Sequence, residues 1–189
     1  MGLDYTDGCV NLRDVGEYIN LVAGVKLLPE KTIYRGGSID YVKGDADICF
    51  PKSIINLRNR VDFDGFDADY YHFPMANKVE KYDTTQKEVR KWLNQIIAIF
   101  QEETTAFPVL IHCLSGKDRT GIVVASLLLI LEIEREVIIE EYLLSDGEVS
   151  RALISQAIDG IGDPVIYFKG IDFNQIRDNV RRSGALLDI

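Results

Sequence analysis

Apolar positions recur at two different spacings along the chain, and the change of spacing marks out its elements. Short β-prone runs come first. Thr32–Arg35 is stopped by Gly36-Gly37, Ser53–Leu57 follows Pro51, and Tyr70–Phe73 is ended by Pro74. Runs of this length, rich in β-branched and aromatic residues and bounded by Gly or Pro, read as strands. Between Thr84 and Gln101 the period lengthens. Val89, Trp92, Leu93, Ile96, Ile97 and Phe100 fall on one helical face, and Asp83 is the expected N-cap. Pro108-Val109-Leu110-Ile111 reads as a buried strand. Gly121–Leu131, apolar on nearly every face, reads as a buried helix. Helical stretches follow at Arg135–Leu144, Val149–Ile158 and Ile171–Val180, with breaks at Gly160, Gly162 and Pro164. Strands alternating with a helix and giving way to a helical tail predict the α/β class: a central, mostly parallel sheet flanked by helices. No repeat and no Pro/Gly/Ser-rich linker divides the chain, so residues 1–189 are expected to form one domain.

Composition narrows the possibilities. The chain has 189 residues, 47% hydrophobic and 27% charged. That is the balance of a soluble globule and excludes disordered, collagen-like and coiled-coil chains. With 21 Lys+Arg against 30 Asp+Glu the net charge is −9, a field that repels nucleic acid and anionic lipid. No nucleic-acid partner and no stable membrane binding are expected. The longest apolar run, Ile122–Leu131, is interrupted by Ser126 and falls short of the ~20 residues a membrane span needs. No basic region followed by an apolar core marks a secretory signal. Met1-Gly2 with Thr6 fits the nominal myristoylation pattern, but Asp4 and Asp7 follow and no basic cluster supports an anchor. Three cysteines (Cys9, Cys49, Cys113) without a C-x-x-C, and two histidines (His72, His112), make neither a disulfide framework nor a metal site. The expectation is a monomeric, cytoplasmic protein with no cofactor and no metal.

One segment carries chemistry. Between the buried strand and the buried helix runs His112-Cys113-Leu114-Ser115-Gly116-Lys117-Asp118-Arg119-Thr120-Gly121. A strand–loop–helix of this kind turns successive backbone N–H groups into one concavity, and the helix start adds the positive end of its dipole. The concavity suits a tetrahedral oxyanion such as phosphate. Cys113 is the candidate nucleophile. A free thiol is only about 3% ionised at pH 7, and a helix N-terminus with nearby Arg and Lys favours the thiolate. Arg119 is the candidate for bidentate grip on two phosphate oxygens. Gly116 and Gly121 permit close backbone approach or a positive φ. Leu114, Ser115, Gly116, Lys117, Asp118, Arg119 and Thr120 are the expected phosphate-binding residues. Thr120 offers a hydroxyl to the thiolate, and Lys117 adds charge at the rim. His112 is expected to orient the loop by hydrogen bonding, whereas Cys9 and Cys49 read as small apolar residues.

These residues resemble the H-C-x5-R-[ST] signature of the cysteine-dependent protein tyrosine phosphatase superfamily. The form H-C-x-x-G-K-D-R-T-G is similar to its bacterial and fungal tyrosine-phosphatase-like branch. Further stretches look like that branch in matching order: Asn11-Leu12-Arg13-Asp14-Val15-Gly16, Tyr34-Arg35-Gly36-Gly37, Ile55-Asn56-Leu57-Arg58 and Glu141-Tyr142-Leu143-Leu144-Ser145. Asn56 stands where the branch carries an acid. The resemblance implies a phosphatase-like fold with a strand–phosphate loop–helix active site. It also implies phosphomonoester hydrolysis through a phosphocysteine. The implied substrate is phosphotyrosine with relaxed, dual specificity; the alternative is a phosphoinositide or soluble inositol phosphate. Lys117 speaks for a second phosphate, while Asp118 and the net charge speak against one. A general acid is required. Asp118 is the first candidate, Asp83 at 30 residues before Cys113 the second, and Glu80 the third. A sulfur transferase loop is typically one residue shorter, and arsenate reduction needs resolving cysteines nearby. Binding an anion despite the overall charge is expected to rest on a few cations at the mouth: Arg119, Lys117, and Arg58 or Arg13.

Overall fold

Strands β1 (Arg13–Asp14), β2 (Ile33–Gly36), β3 (Ser53–Asn56), β4 (Asp69–His72) and β5 (Val109–His112) form one sheet in the order β1-β2-β5-β3-β4. These elements belong to a computed structural model that describes residues 3–185, so the Met1-Gly2 of the myristoylation pattern lies outside it. β1 pairs antiparallel with β2, and all other pairings are parallel. β5 occupies the centre because its sequence can be covered on both faces. Val109 and Ile111 enter the larger core and Leu110 the smaller one. A parallel strand buried on both sides reads as an unbroken apolar run.

The larger core lies under the helices α1 (Val15–Ala23), α2 (Lys87–Ile99), α3 (Asp118–Ile130), α4 (Arg135–Leu143), α5 (Arg151–Ile161), α6 (Pro164–Tyr167) and α7 (Phe173–Ala185). α3 buries ten of its thirteen residues and packs against β5, with α2, α4, α5 and α7 around it. Each fully buried Ile, Leu or Val side chain stabilises by about 1.5–3 kcal/mol, so this helix is the anchor of the core. On the opposite face a smaller cluster of Tyr34, Ile39, Val42, Ile48, Ile54 and Leu110 is joined by the half-buried Cys9 and Cys49. A short 3-10 turn, Asp45–Ile48, helps to cover it. None of the described helices is long and apolar enough to cross a membrane.

The apolar spacing locates most elements to within a few residues, and the departures have local causes. The N-cap position of α2 is Gln86, not Asp83, and its side chain makes no capping bond. The Asp83 carboxylate instead binds the Thr85 amide and hydroxyl and the Gln86 amide group. Thr84 is fully buried and donates to the Ala157 carbonyl. Side-chain bonds of this kind compete with helix formation and hold three residues outside it. α3 begins at Asp118 rather than Gly121, because its first turn is polar and forms the end of the loop. β1 is too short to show a period, and α1 is a nine-residue helix whose apolar spacing rests on Val15, Tyr18, Ile19 and Val22. Asp14 ends the two-residue strand and caps α1 by accepting from the Gly16 amide.

The pairing register sets the site. Gly36 and Asn56 both lie level with His112. The loops after β2, β3 and β5 therefore leave the sheet at one edge, at the carboxyl ends of parallel strands where such sheets form ligand crevices.

Candidate active site

The loop from Cys113 to Lys117 is held from outside by its carbonyls. Leu114 O accepts from the Ser38 amide at 2.8 Å, Ser115 O from Asn11 Nδ2 at 2.8 Å, and Gly116 O from Arg35 Nη2 at 2.9 Å. In a trans peptide the N–H points opposite to its carbonyl. Drawing these three carbonyls outward turns the amides of Ser115, Gly116 and Lys117 toward the interior of the loop. Among the described residues they have no protein acceptor. The first amides of α3, which no helix can satisfy internally, continue the row. Gly116 is at φ +70° and a Cβ there would fall 2.6 Å from the Gly36 carbonyl carbon. Gly121 makes a different close approach: a Cβ would lie 2.6 Å from the Tyr142 ring.

Cys113 sits at the base, 3% exposed, with its amide directed at Gly36 O. Thr120 Oγ1 is buried without a partner and is free to donate to a thiolate. His112 is fully buried and its Nε2 lies 2.9 Å from Asp62 Oδ2. Asp62 also accepts from Arg58 and from the Tyr70 hydroxyl. His112 is thus fixed from the β3–β4 connection. Arg119 donates to Leu57 O at 3.2 Å and to Asn77 Oδ1 at 2.6 Å.

The other expected cations do not gather at the mouth. Lys117 swings to the Glu148 carbonyl at 3.0 Å. Arg58 forms a two-pronged pair with Asp40 and also reaches Asp62. Arg13 and Arg35 share Glu141, at 2.8 and 2.6 Å. Burial, and then the neighbouring Arg35, pull the Arg13 guanidinium down to about 10. Each was a reasonable rim residue by type, but each has a carboxylate or carbonyl closer to hand. Buried charges persist only when paired.

The acid candidates separate by their partners. Asp118 Oδ1 accepts the Tyr82 hydroxyl at 2.6 Å, and Tyr82 lies 2.7 Å from the Tyr142 hydroxyl. Both oxygens of Asp83 are committed to its own turn, and those bonds hold its carboxyl below the ordinary range, which is unhelpful to an acid. Glu80 accepts from the Tyr82 amide. Asn56 is a structural residue: its Oδ1 takes the Arg58 amide and its Nδ2 reaches Arg60 O and the Tyr70 hydroxyl. Tyr82, Asp62, Asn77 and the roles of Arg35 and Glu141 escape sequence reasoning. Arg35 and Glu141 lie in the quoted stretches; Tyr82 has only its place beside Asp83. Cys9 packs behind Gly36, and burial pushes its thiol up to about 12.

Residues 5–164 match the model of the tyrosine phosphatase family. The chain is 34% identical over 111 residues to the triple specificity protein phosphatase PtpB of Mycobacterium tuberculosis, a match over 58% of this chain and 36% of that protein. The chain therefore spans little more than a third of that relative. The Siw14 catalytic core has a similar fold, with a TM-score of 0.52, 19% identity, and coverage of 85% of this chain and 94% of that one. TpbA of P. aeruginosa aligns with a TM-score of 0.48 and 16% identity over 80% of this chain and 87% of that one.

Proposed function

The chain belongs to the tyrosine phosphatase family, and from that premise we propose that it hydrolyses phosphomonoesters with Cys113 as nucleophile. The observation that carries this reading is the loop whose carbonyls are tied outward to Ser38, Asn11 and Arg35, leaving its amides to face the cysteine side. Such a row of preorganised donors stabilises the equatorial oxygens of a transferring phosphoryl group. In the first step the Cys113 thiolate attacks phosphorus in line. The S–P bond forms as the P–O bond to the leaving group breaks, and Asp118 gives its proton to that oxygen. Arg119 exchanges Leu57 O and Asn77 for two phosphate oxygens. In the second step water attacks the phosphocysteine, the ionised Asp118 takes its proton, and the thiolate returns. Charge neutralisation by the loop and Arg119 suffices without a metal. Three free thiols suit a reducing, cytoplasmic setting, and one catalytic domain working as a monomer is the simplest organisation.

The favoured substrate is a phosphotyrosine protein with relaxed specificity. Arg13 and Arg58 are committed to carboxylates, which leaves only Lys117, held by a single backbone carbonyl, to meet a second phosphate of a polyphosphorylated inositol. The test begins with p-nitrophenyl phosphate under reducing conditions. Wild-type protein is expected to turn it over, and Cys113→Ser to reduce turnover to background while still binding phosphate. Near-native hydrolysis by the variant would defeat the mechanism, and inactive wild-type protein would leave a phosphate-binding module. A panel of phosphotyrosine and phosphoserine peptides with soluble inositol phosphates then decides the substrate class.

A further inference from the structure

The Asp118 carboxylate is anchored on one side only. Oδ1 accepts the Tyr82 hydroxyl, while Oδ2 has no protein partner among the described residues. A phenol has a single proton and an ionised carboxylate only accepts. Tyr82 therefore donates to Asp118 and takes the Tyr142 hydroxyl as its own donor. The donors run in one direction, from Tyr142 through Tyr82 to Asp118. Tyr82 and Tyr142 are both buried. Burial, and for Tyr82 also its bond to Asp118, push both phenols above their ordinary range, so they stay protonated.

We propose that Tyr82, backed by Tyr142, is a positioning residue that aims the free Asp118 oxygen at the leaving-group oxygen. The inference rests on Asp118 being the general acid. Other charged or titratable groups approach from every side. Arg119 and Lys117 adjoin Asp118 in sequence, Cys113 lies at the loop base, Arg35 comes from β2, and Glu141 from α4. Arg35 and Glu141 pair with each other, and Lys117 is bound to Glu148 O. Tyr82 alone bonds the carboxylate directly among the described residues.

The pH dependence of kcat/KM for p-nitrophenyl phosphate and for phenyl phosphate, a poorer leaving group, tests this. Tyr82→Phe is expected to slow phenyl phosphate about tenfold, part of what a positioned acid supplies, with less effect on p-nitrophenyl phosphate. Tyr142→Phe should do the same more weakly, and it decides the matter if Tyr82→Phe does not fold. Asp118→Asn is the reference and should abolish the basic limb. Should Asp118→Asn retain a wild-type profile, the acid assignment falls and this inference with it. If Asp118→Asn loses the limb while folded Tyr82→Phe and Tyr142→Phe keep the wild-type leaving-group dependence, the tyrosine role alone is overturned.

Discussion

The Arg35 side chain is charged and has no solvent exposure. Its guanidinium is fully buried, one arm on Glu141 and the other on Gly116 O, so it ties the loop to α4. Glu141 meets Arg13 on its other oxygen. Removing one member of a buried ion network strands the others, at a cost of about 3–5 kcal/mol. Arg35→Ala is accordingly expected to lose about that much stability in urea unfolding. Its folded fraction should also show a raised KM, because Gly116 O is no longer drawn outward. Unchanged unfolding and an unchanged KM would mean that the loop is held by Asn11 and Ser38 alone. Residue type was legible in the sequence here, but direction was not. Lys117, Arg13 and Arg58 are cations beside a candidate anion site, yet each turns toward a closer acceptor. Glu141 is 106 positions from Arg35, and no local pattern predicts such a partner.

Elements were easier to read than their ends. α3 and β5 are apolar enough that burial alone fixes their type, and the candidate loop between them followed directly. Polar bonds moved the boundaries, as at Asp83, and α1 is short enough that the helical spacing of Val15, Tyr18, Ile19 and Val22 is easily passed over. The α3–α4 contact shows what the pattern omits. Gly121 looks like an ordinary start to an apolar helix, but it is the place where the Tyr142 ring crosses. Alanine in a helix interior is about 1 kcal/mol better than glycine, whereas overpacking a filled core costs about 1–3 kcal/mol. A Cβ at 2.6 Å from an enclosed ring falls on the second side of that balance. Gly121→Ala is therefore expected to lower the melting temperature. Displacing Tyr142 should also lower kcat through Tyr82 and Asp118. A rise in melting temperature would show that the ring can step aside.

At the scale of the whole molecule, a net charge of −9 surrounds a site meant for an anion. The sequence reveals that total but not which cations are paired within the protein. Lys117, Arg13 and Arg58 each have a protein partner, and the backbone amides of the loop act only at short range. Long-range approach is governed by the acidic surface. Phosphotyrosine peptides with basic flanks should therefore show a KM several-fold below that of equally long peptides with acidic flanks. The gap should narrow as ionic strength rises from about 0.01 M to about 1 M, where the screening length falls from about 30 to about 3 Å. Equal KM values at low salt would sink the idea. Membership of the family could be read from spacing and order along the chain; the distribution of charge around the mouth required the fold.

The Cys9 sulfur lies 2.6 Å from where a Cβ on Gly36 would stand, and this binds the histories of two positions 27 apart in the chain. Alanine at 36 collides with the sulfur unless Cys9 has already become smaller. Once Cys9 is alanine, a methyl on residue 36 fills the space that the sulfur leaves. The two sites are epistatic, and the order of substitution matters: a lineage or a library can reach the pair through Cys9→Ala first, while the route through Gly36→Ala passes over a distorted loop.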